Sequence, residues 1–139
     1  MSENGILAKY FRISKDDGRL GESQSIEHQR LIVNDYIAGH NELSGLRTAE
    51  FIDDGISGVS FIRPNITTLL EMAKKGEVSC IIVKDFSRFG RDYIDVGDYL
   101  EQIFPFLGIR FISVTDGYDS VVSGTLADDV GNGFKNLYN

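Results

Sequence analysis

A single cysteine, Cys80, in a chain of 139 residues leaves no disulfide framework to build. It sits inside the apolar run Cys80-Ile81-Ile82-Val83, so a buried structural thiol is the expectation. Histidine is nearly as scarce. His28 and His40 fall on or after the first predicted helix, which leaves no His/Cys metal cluster and no Ser-His-Asp arrangement. No apolar stretch approaches the ~18 residues of a membrane span, and the opening Met1-Ser2-Glu3-Asn4-Gly5 lacks a secretory pattern, so a cytoplasmic location with no membrane partner is expected. Basic charge is also in short supply. Fourteen Lys and Arg against 21 Asp and Glu give a net charge of −7, which excludes a chain that clamps nucleic acid by overall charge alone. Repeats, low-complexity tracts and inter-domain linkers are absent.

What is present is a globular composition, 42% apolar and 25% charged, at a length suited to one domain. Strand-length apolar runs alternate with segments of helical period. Strands are predicted at Gly5–Ile13, Glu50–Asp53, Val78–Val83 and Ile109–Val114. Helices are predicted at Ser25–Ala38, with Ile26, Val33, Tyr36 and Ile37 on one face, at Asn65–Lys75 and at Asp92–Leu107. Pro105 should kink or fray the last of these, and Gly108 should stop it. Ser25, followed by His28 and Gln29, reads as a helix N-terminus of capping-box type. The βαβαβαβ order predicts an α/β fold, a three-layer open and mostly parallel sheet with helices on both faces.

In such a sheet ligands bind beyond the carboxyl ends of the strands, where the winding reverses. Ser14 follows the first strand, Asp53 to Arg63 the second, and Lys84 to Arg91 the third, so one edge collects all three loops. Arg12, Arg63, Arg88 and Arg91 therefore gather a local cationic site in an acidic chain. Their planar forks fit phosphate oxygens. Strand alternation puts Tyr10, Arg12 and Ser14 on one face, with an arginine directly behind the serine. A serine hydroxyl is a weak nucleophile that needs a base or a cationic setting. The histidines fall away from this edge, His28 alone excepted, and form no Ser-His-Asp arrangement, so activation by arginines is the reading that remains, and it suits phosphoryl rather than acyl transfer.

Three other readings compete with this one. The acidic pairs Asp16-Asp17, Asp53-Asp54 and Asp128-Asp129 raise a two-metal nuclease, but adjacent acids on a strand face opposite ways, so no metal is expected. A non-catalytic doubly wound phosphate-binding or signalling module is the alternative from another class. The loop Ser14-Lys15-Asp16-Asp17-Gly18-Arg19-Leu20-Gly21 lacks the form of a phosphate loop, and Asp53 with Lys84 only faintly echoes a receiver. A recombinase-derived protein that has lost catalysis is the third, disfavoured because the serine and the four arginines are all present.

The patterns Tyr10-x-Arg12-x-Ser14, Gln24-Ser25-x-x-x-Gln29, Asp53-x-Gly55-x-Ser57-Gly58, Arg63-Pro64 and Ser87-Arg88-Phe89-Gly90-Arg91 run in order across the chain. Together they resemble the catalytic domain of serine site-specific recombinases, the resolvase/invertase family. Asp53-Asp54-Gly55-Ile56-Ser57-Gly58 and Lys84-Asp85-Phe86-Ser87-Arg88 most resemble the large serine recombinases of conjugative and mobilisable transposons. The resemblance implies a bacterial DNA strand-transferase that needs no metal, ATP or other cofactor. Its double-stranded DNA would be cut through a 5′-phosphoserine intermediate, exchanged by subunit rotation and religated, in transposon excision or integration. It implies Ser14 as nucleophile and Arg12, Arg63, Arg88 and Arg91 as ligands of the scissile phosphate. Gln29 and Gln24 would support the pocket, with Tyr10 packed beside it. Dimers that assemble into tetramers are implied for the full-length protein. Residues 1–139 would be the N-terminal catalytic domain, ending inside a helix that begins near Ala127, with the DNA-binding domains outside this chain. Ser87 departs from the pattern: many relatives hold an aspartate there, whereas this chain has Asp85 two residues earlier. Asp53 is a candidate to supply that carboxylate or, equally, to cap the turn that follows.

Overall fold

The strand that carries Tyr10 and Arg12 lies inside the sheet, with neighbours on both sides. A computed structural model describes residues 5–13, 25–54, 64–90 and 93–122. Strands β1 (Ile6–Ile13), β2 (Thr48–Asp54), β3 (Val78–Val83), β4 (Arg110–Ser113) and β5 (Tyr118–Asp119) form one sheet in the order β2-β1-β3-β4-β5. The first four are parallel; β5 joins β4 antiparallel. The chain winds one way from β1 to β2 and the other way from β3 onward, which puts the switch point between β1 and β3.

Helices cover both faces, as the alternation predicts. α1 (Ile26–Ala38) and the short α2 (Asn41–Ser44) bury Val33, Ile37 and Leu43 against Leu7, Phe11, Cys80, Ile82 and Ile112. On the other face α3 (Pro64–Lys74) buries Ile66, Leu69, Leu70 and Ala73 against Ile6, Ala8, Tyr10, Ile81 and Val83. The alternation of β1 is thus read out directly, with Leu7 and Phe11 on one face and Ala8 and Tyr10 on the other. Ser25 caps α1, its hydroxyl accepting the His28 N–H at 3.0 Å. Among the described residues no helix is long and apolar enough to cross a membrane.

Several boundaries differ from the sequence reading. β2 begins at Thr48 rather than Glu50, because its exposed edge residues pair with β1 although they lack strand hydrophobicity. α3 starts on Pro64, whose fixed φ and missing N–H suit a first helical position. Three short elements were not foreseen: α2, α4 (Phe86–Phe89) and β5. The helix expected over Asp92–Leu107 is broken into α5 (Tyr93–Asp98), a π-helical turn at Tyr99–Ile103, and α6 (Phe104–Leu107), which Gly108 closes at φ 71°. The widened turn lies just ahead of Pro105, where a proline ring crowds the carbonyl four residues back. There the Phe104 N–H bonds the carbonyl of Tyr99, five residues earlier.

That i to i+5 spacing turns both Tyr99 and Phe104 toward one ring. Phe89 meets them with ring centroids 5.7 Å away in each case, and Phe111 at 5.3 Å. Phe86 is buried beside it, stacked on Phe111 and tilted against Tyr118. The two phenylalanines of α4 root this single turn in the core, and the residues between them are Ser87 and Arg88. Replacing Phe89 with alanine should lower unfolding free energy by about 3–5 kcal/mol through the cavity it leaves. Denaturant titration would show this as a lower midpoint with an unchanged slope.

Gly5 also has a packing reason. A Cβ there would come within 2.6 Å of the Ser79 nitrogen and 2.8 Å of the Val78 carbonyl carbon, where the register between β1 and β3 shifts.

Candidate active site at the switch point

β1 and β3 part company at their carboxyl ends. Their pairing stops at Lys9 with Ile82, while β1 runs on to Ile13 paired with β2 alone. The backbone of Arg12 therefore has no strand on its β3 side, and side chains take that place. The buried amide of Gln29 accepts the Arg12 N–H at 3.2 Å and donates to the Arg12 carbonyl at 2.9 Å, much as a neighbouring strand would. Arg88 Nη1 donates to the same carbonyl at 3.0 Å.

The exchange is reciprocal. The Arg12 guanidinium donates from Nη2 to the Ser87 carbonyl at 2.7 Å and from Nε to the Arg88 carbonyl at 3.3 Å. Arg12 is 0% and Arg88 3% exposed, so two cations are buried side by side at the switch point, each holding the other's backbone. Arg12 thus reaches toward α4, on the face that also holds Tyr10, as alternation requires.

Asp53 resolves the two roles open to it. Its Oδ2 accepts the Tyr10 hydroxyl and the Ile66 N–H, both at 2.9 Å, and its Oδ1 accepts the Asn65 N–H at 3.0 Å. These N–H groups belong to the first turn of α3, where donors lack partners within the helix. Asp53, 1% exposed, is therefore a helix cap that also fixes Tyr10, one strand away from the arginine pair.

A different carboxylate serves the arginine turn. Asp85 caps α4: its Oδ1 accepts the Ser87 hydroxyl at 2.5 Å and the Arg88 N–H at 3.3 Å, while its Oδ2 takes Lys84 Nζ at 3.1 Å. Burial by itself raises the pKa of the Asp85 carboxyl. The Ser87 hydroxyl and the charges of Lys84 and Arg88 outweigh it, and the net direction is down. Lys84 is paired with Asp85 and Asp53 with α3, so the faint likeness to a receiver's acid–lysine set is not built.

Sequence reasoning passed over one further residue. Asp116 Oδ2 accepts the Phe86 N–H at 2.8 Å and the Ser113 hydroxyl at 2.6 Å. Beside it, Thr115 donates its N–H and hydroxyl to the Lys84 carbonyl. The turn after β4 thereby clamps both ends of the Lys84–Phe86 link. Its signal was an Asp-Gly pair directly after a strand, a common turn signature that carries no hint of what the aspartate holds.

Of the other predicted site residues, Ser14, Gln24, Arg63 and Arg91 lie outside the described residues. So does the helix expected from Ala127. His40 stacks on Tyr36 at 4.0 Å, its Nδ1 2.7 Å from the Tyr36 carbonyl, away from the arginine pair. Cys80 is buried and its thiol is pushed up to about 12 by that burial, the inert state foreseen for it. No group of three or more His, Cys, Asp or Glu residues among the described ones is arranged to hold a metal. The nearby surface cations are matched in situ: Arg30 pairs with Glu27 and Glu50, and Lys9 with Glu50.

The Resolvase, N terminal domain family matches residues 7–129. The N-terminal catalytic domain of TP901-1 integrase is similar in structure, with TM-score 0.72 and 22% identity over 94% of this chain and 96% of that one. A resolvase family site-specific recombinase from Streptococcus pneumoniae gives TM-score 0.70 and 27% identity over 94% and 86%. The C-terminal catalytic domain of ISC1926 TnpA, an IS607-like serine recombinase, gives TM-score 0.60 and 18% identity over 96% and 99%. No curated protein matches by sequence.

Proposed function

The chain belongs to the resolvase N-terminal domain family, the catalytic domains of serine recombinases, and we propose that it cuts and rejoins double-stranded DNA through Ser14. The observation that carries this reading is the interlocked pair of Arg12 and Arg88, buried at the switch point where the strand leading to Ser14 ends. In the proposed step the Ser14 oxygen bonds to a backbone phosphorus. The bond from that phosphorus to the 3′ oxygen breaks, and the serine proton leaves as the 3′ oxygen takes one up. The products are a 5′-phosphoserine linkage and a free 3′-hydroxyl, and the linkage keeps the energy needed to religate. Charge develops on the phosphate oxygens during the step. Arginines already fixed in place stabilise it without reorganising at the moment of reaction.

Arg63 and Arg91 complete the arginine set in this proposal, and Gln24 supports the pocket with Gln29. Sequence readout and the dimer-to-tetramer assembly are assigned to the full-length protein. The direct test incubates that protein in EDTA with nicked duplexes whose central segment is randomised. Covalent protein–DNA complexes are recovered under denaturing conditions and the modified residue is mapped by mass spectrometry. Phosphate linked to Ser14 is the expected result. Linkage to any other side chain, or a complex that forms only when a divalent metal is restored, overturns the mechanism.

A further inference from the structure

Arg12 and Arg88 are buried before any phosphate arrives. Taking cations out of water is costly unless an opposite charge lies close, and the bonds that the two exchange go to carbonyls, which carry no net charge. Among the described residues, Asp85 supplies the ion pair: its Oδ1 lies 3.9 Å from Arg88 Nε, and its Oδ2 holds Lys84. A helix cap needs only an acceptor, and asparagine performs as well as aspartate. Asp85 receives more than a cap requires, because the Ser87 hydroxyl adds a charge-assisted bond at 2.5 Å to the oxygen that caps Arg88. Ser87 and Arg88 are also the residues whose carbonyls hold the Arg12 guanidinium. One carboxylate therefore acts on both arginines, directly on Arg88 and through the turn on Arg12.

We propose that Asp85, with the Ser87 hydroxyl bound to it, is a positioning residue for DNA cleavage: its negative charge sets Arg88 and the two carbonyls that aim Arg12. The inference rests on reading this site as a recombinase active site. It gives the Ser87 hydroxyl a part in the turn, as the donor through which the Asp85 carboxylate acts on it.

Full-length Asp85→Asn, Ser87→Ala and the double variant test this on the same pool of nicked duplexes. Asp85→Asn keeps the cap and removes the charge, so the rate of covalent-complex formation should fall on the order of 100-fold, the scale of a misplaced reacting group. DNA affinity in a mobility-shift assay should hold; the thermal midpoint should fall, because Arg88 loses its buried charge partner, so rates are compared well below the variant's midpoint. Ser87→Ala should show a smaller loss in the same direction. The double variant should lose no more than Asp85→Asn alone, since the two groups act as one. A wild-type rate in Asp85→Asn reduces Asp85 to a cap and overturns the proposal, as does a rate loss that merely tracks a lower thermal midpoint. If Asp85→Asn does not fold, Ser87→Ala decides: an unchanged rate overturns, a reduced rate at full stability supports. Ser14→Ala runs alongside, and a covalent complex from that variant would mark failure of the nucleophile assignment instead.

Discussion

Full-length Ser14→Ala should form covalent protein–DNA complex at least ten-thousand-fold more slowly than the wild type, on the order seen when a nucleophile that works as a unit with its activators is removed. DNA affinity should stay the same, because alanine deletes one oxygen and leaves every cation in place. The size of the effect follows from the absence of a second route. Neither histidine joins the arginine pair: His40 is engaged with Tyr36, and the hydrogen bond at His28 is that of its backbone to Ser25. Arg12 and Arg88 donate hydrogen bonds but offer no nucleophile. A water attacking in the place of Ser14 would release ends that cannot be religated, so residual cleavage by the variant should yield free 5′-phosphate and no recombinant. Comparing end chemistry separates that slow hydrolysis from true strand transfer. Covalent complex at the wild-type rate would remove Ser14 from the reaction.

How far the sequence could be read differs between the sheet and the site. The four parallel strands and both helical layers were legible because their apolar runs are long and their period is regular, and β3 is apolar almost throughout. Short elements were not. α4 is a single turn held by two buried phenylalanines and two acidic caps from different parts of the chain, none of which a local pattern announces. The π-helical turn was invisible for a related reason: Pro105 signals a disturbance, but what absorbs it is the packing of Tyr99 and Phe104 on Phe89.

At the site, motif spacing marked Arg12, Arg88 and Gln29, and alternation correctly set Arg12 on the face of Tyr10. What spacing could not supply was the partner of each. Asp53 follows a strand and faces the right edge, and by position alone it suits a catalytic carboxylate; its oxygens are instead occupied by α3 and Tyr10. Asp85 looked displaced by two residues, yet the tight turn of α4 folds it back beneath Ser87 and Arg88. Hydrogen bonds between residues 76 positions apart, as between Arg12 and Arg88, become readable only in three dimensions.

Arg12 carries the second large effect, and arginine's shape rather than its charge is the reason. Its guanidinium bridges the carbonyls of Ser87 and Arg88 from two nitrogens of one rigid fork. Arg12→Lys keeps the positive charge but offers a single ammonium on a flexible stem, unable to hold that planar geometry. Cleavage should therefore fall on the order of 100- to 1000-fold in Arg12→Lys, the range found when one fixed donor to a developing negative charge is lost. Arg12→Ala should lose at least as much. It should also lower unfolding free energy by about 3 kcal/mol, because it empties a fully buried site and strips donors from two carbonyls. The two variants thus split chemistry from stability. Arg12→Lys should fold with a thermal midpoint above that of Arg12→Ala and still fail to cleave, since the Gln29 bonds go to the Arg12 backbone and Asp85 still caps the turn. Wild-type cleavage by Arg12→Lys would mean that charge alone suffices at this position. The interlock of Arg12 with Arg88 would then be a packing device, and selection of the phosphate would fall to the remaining arginines.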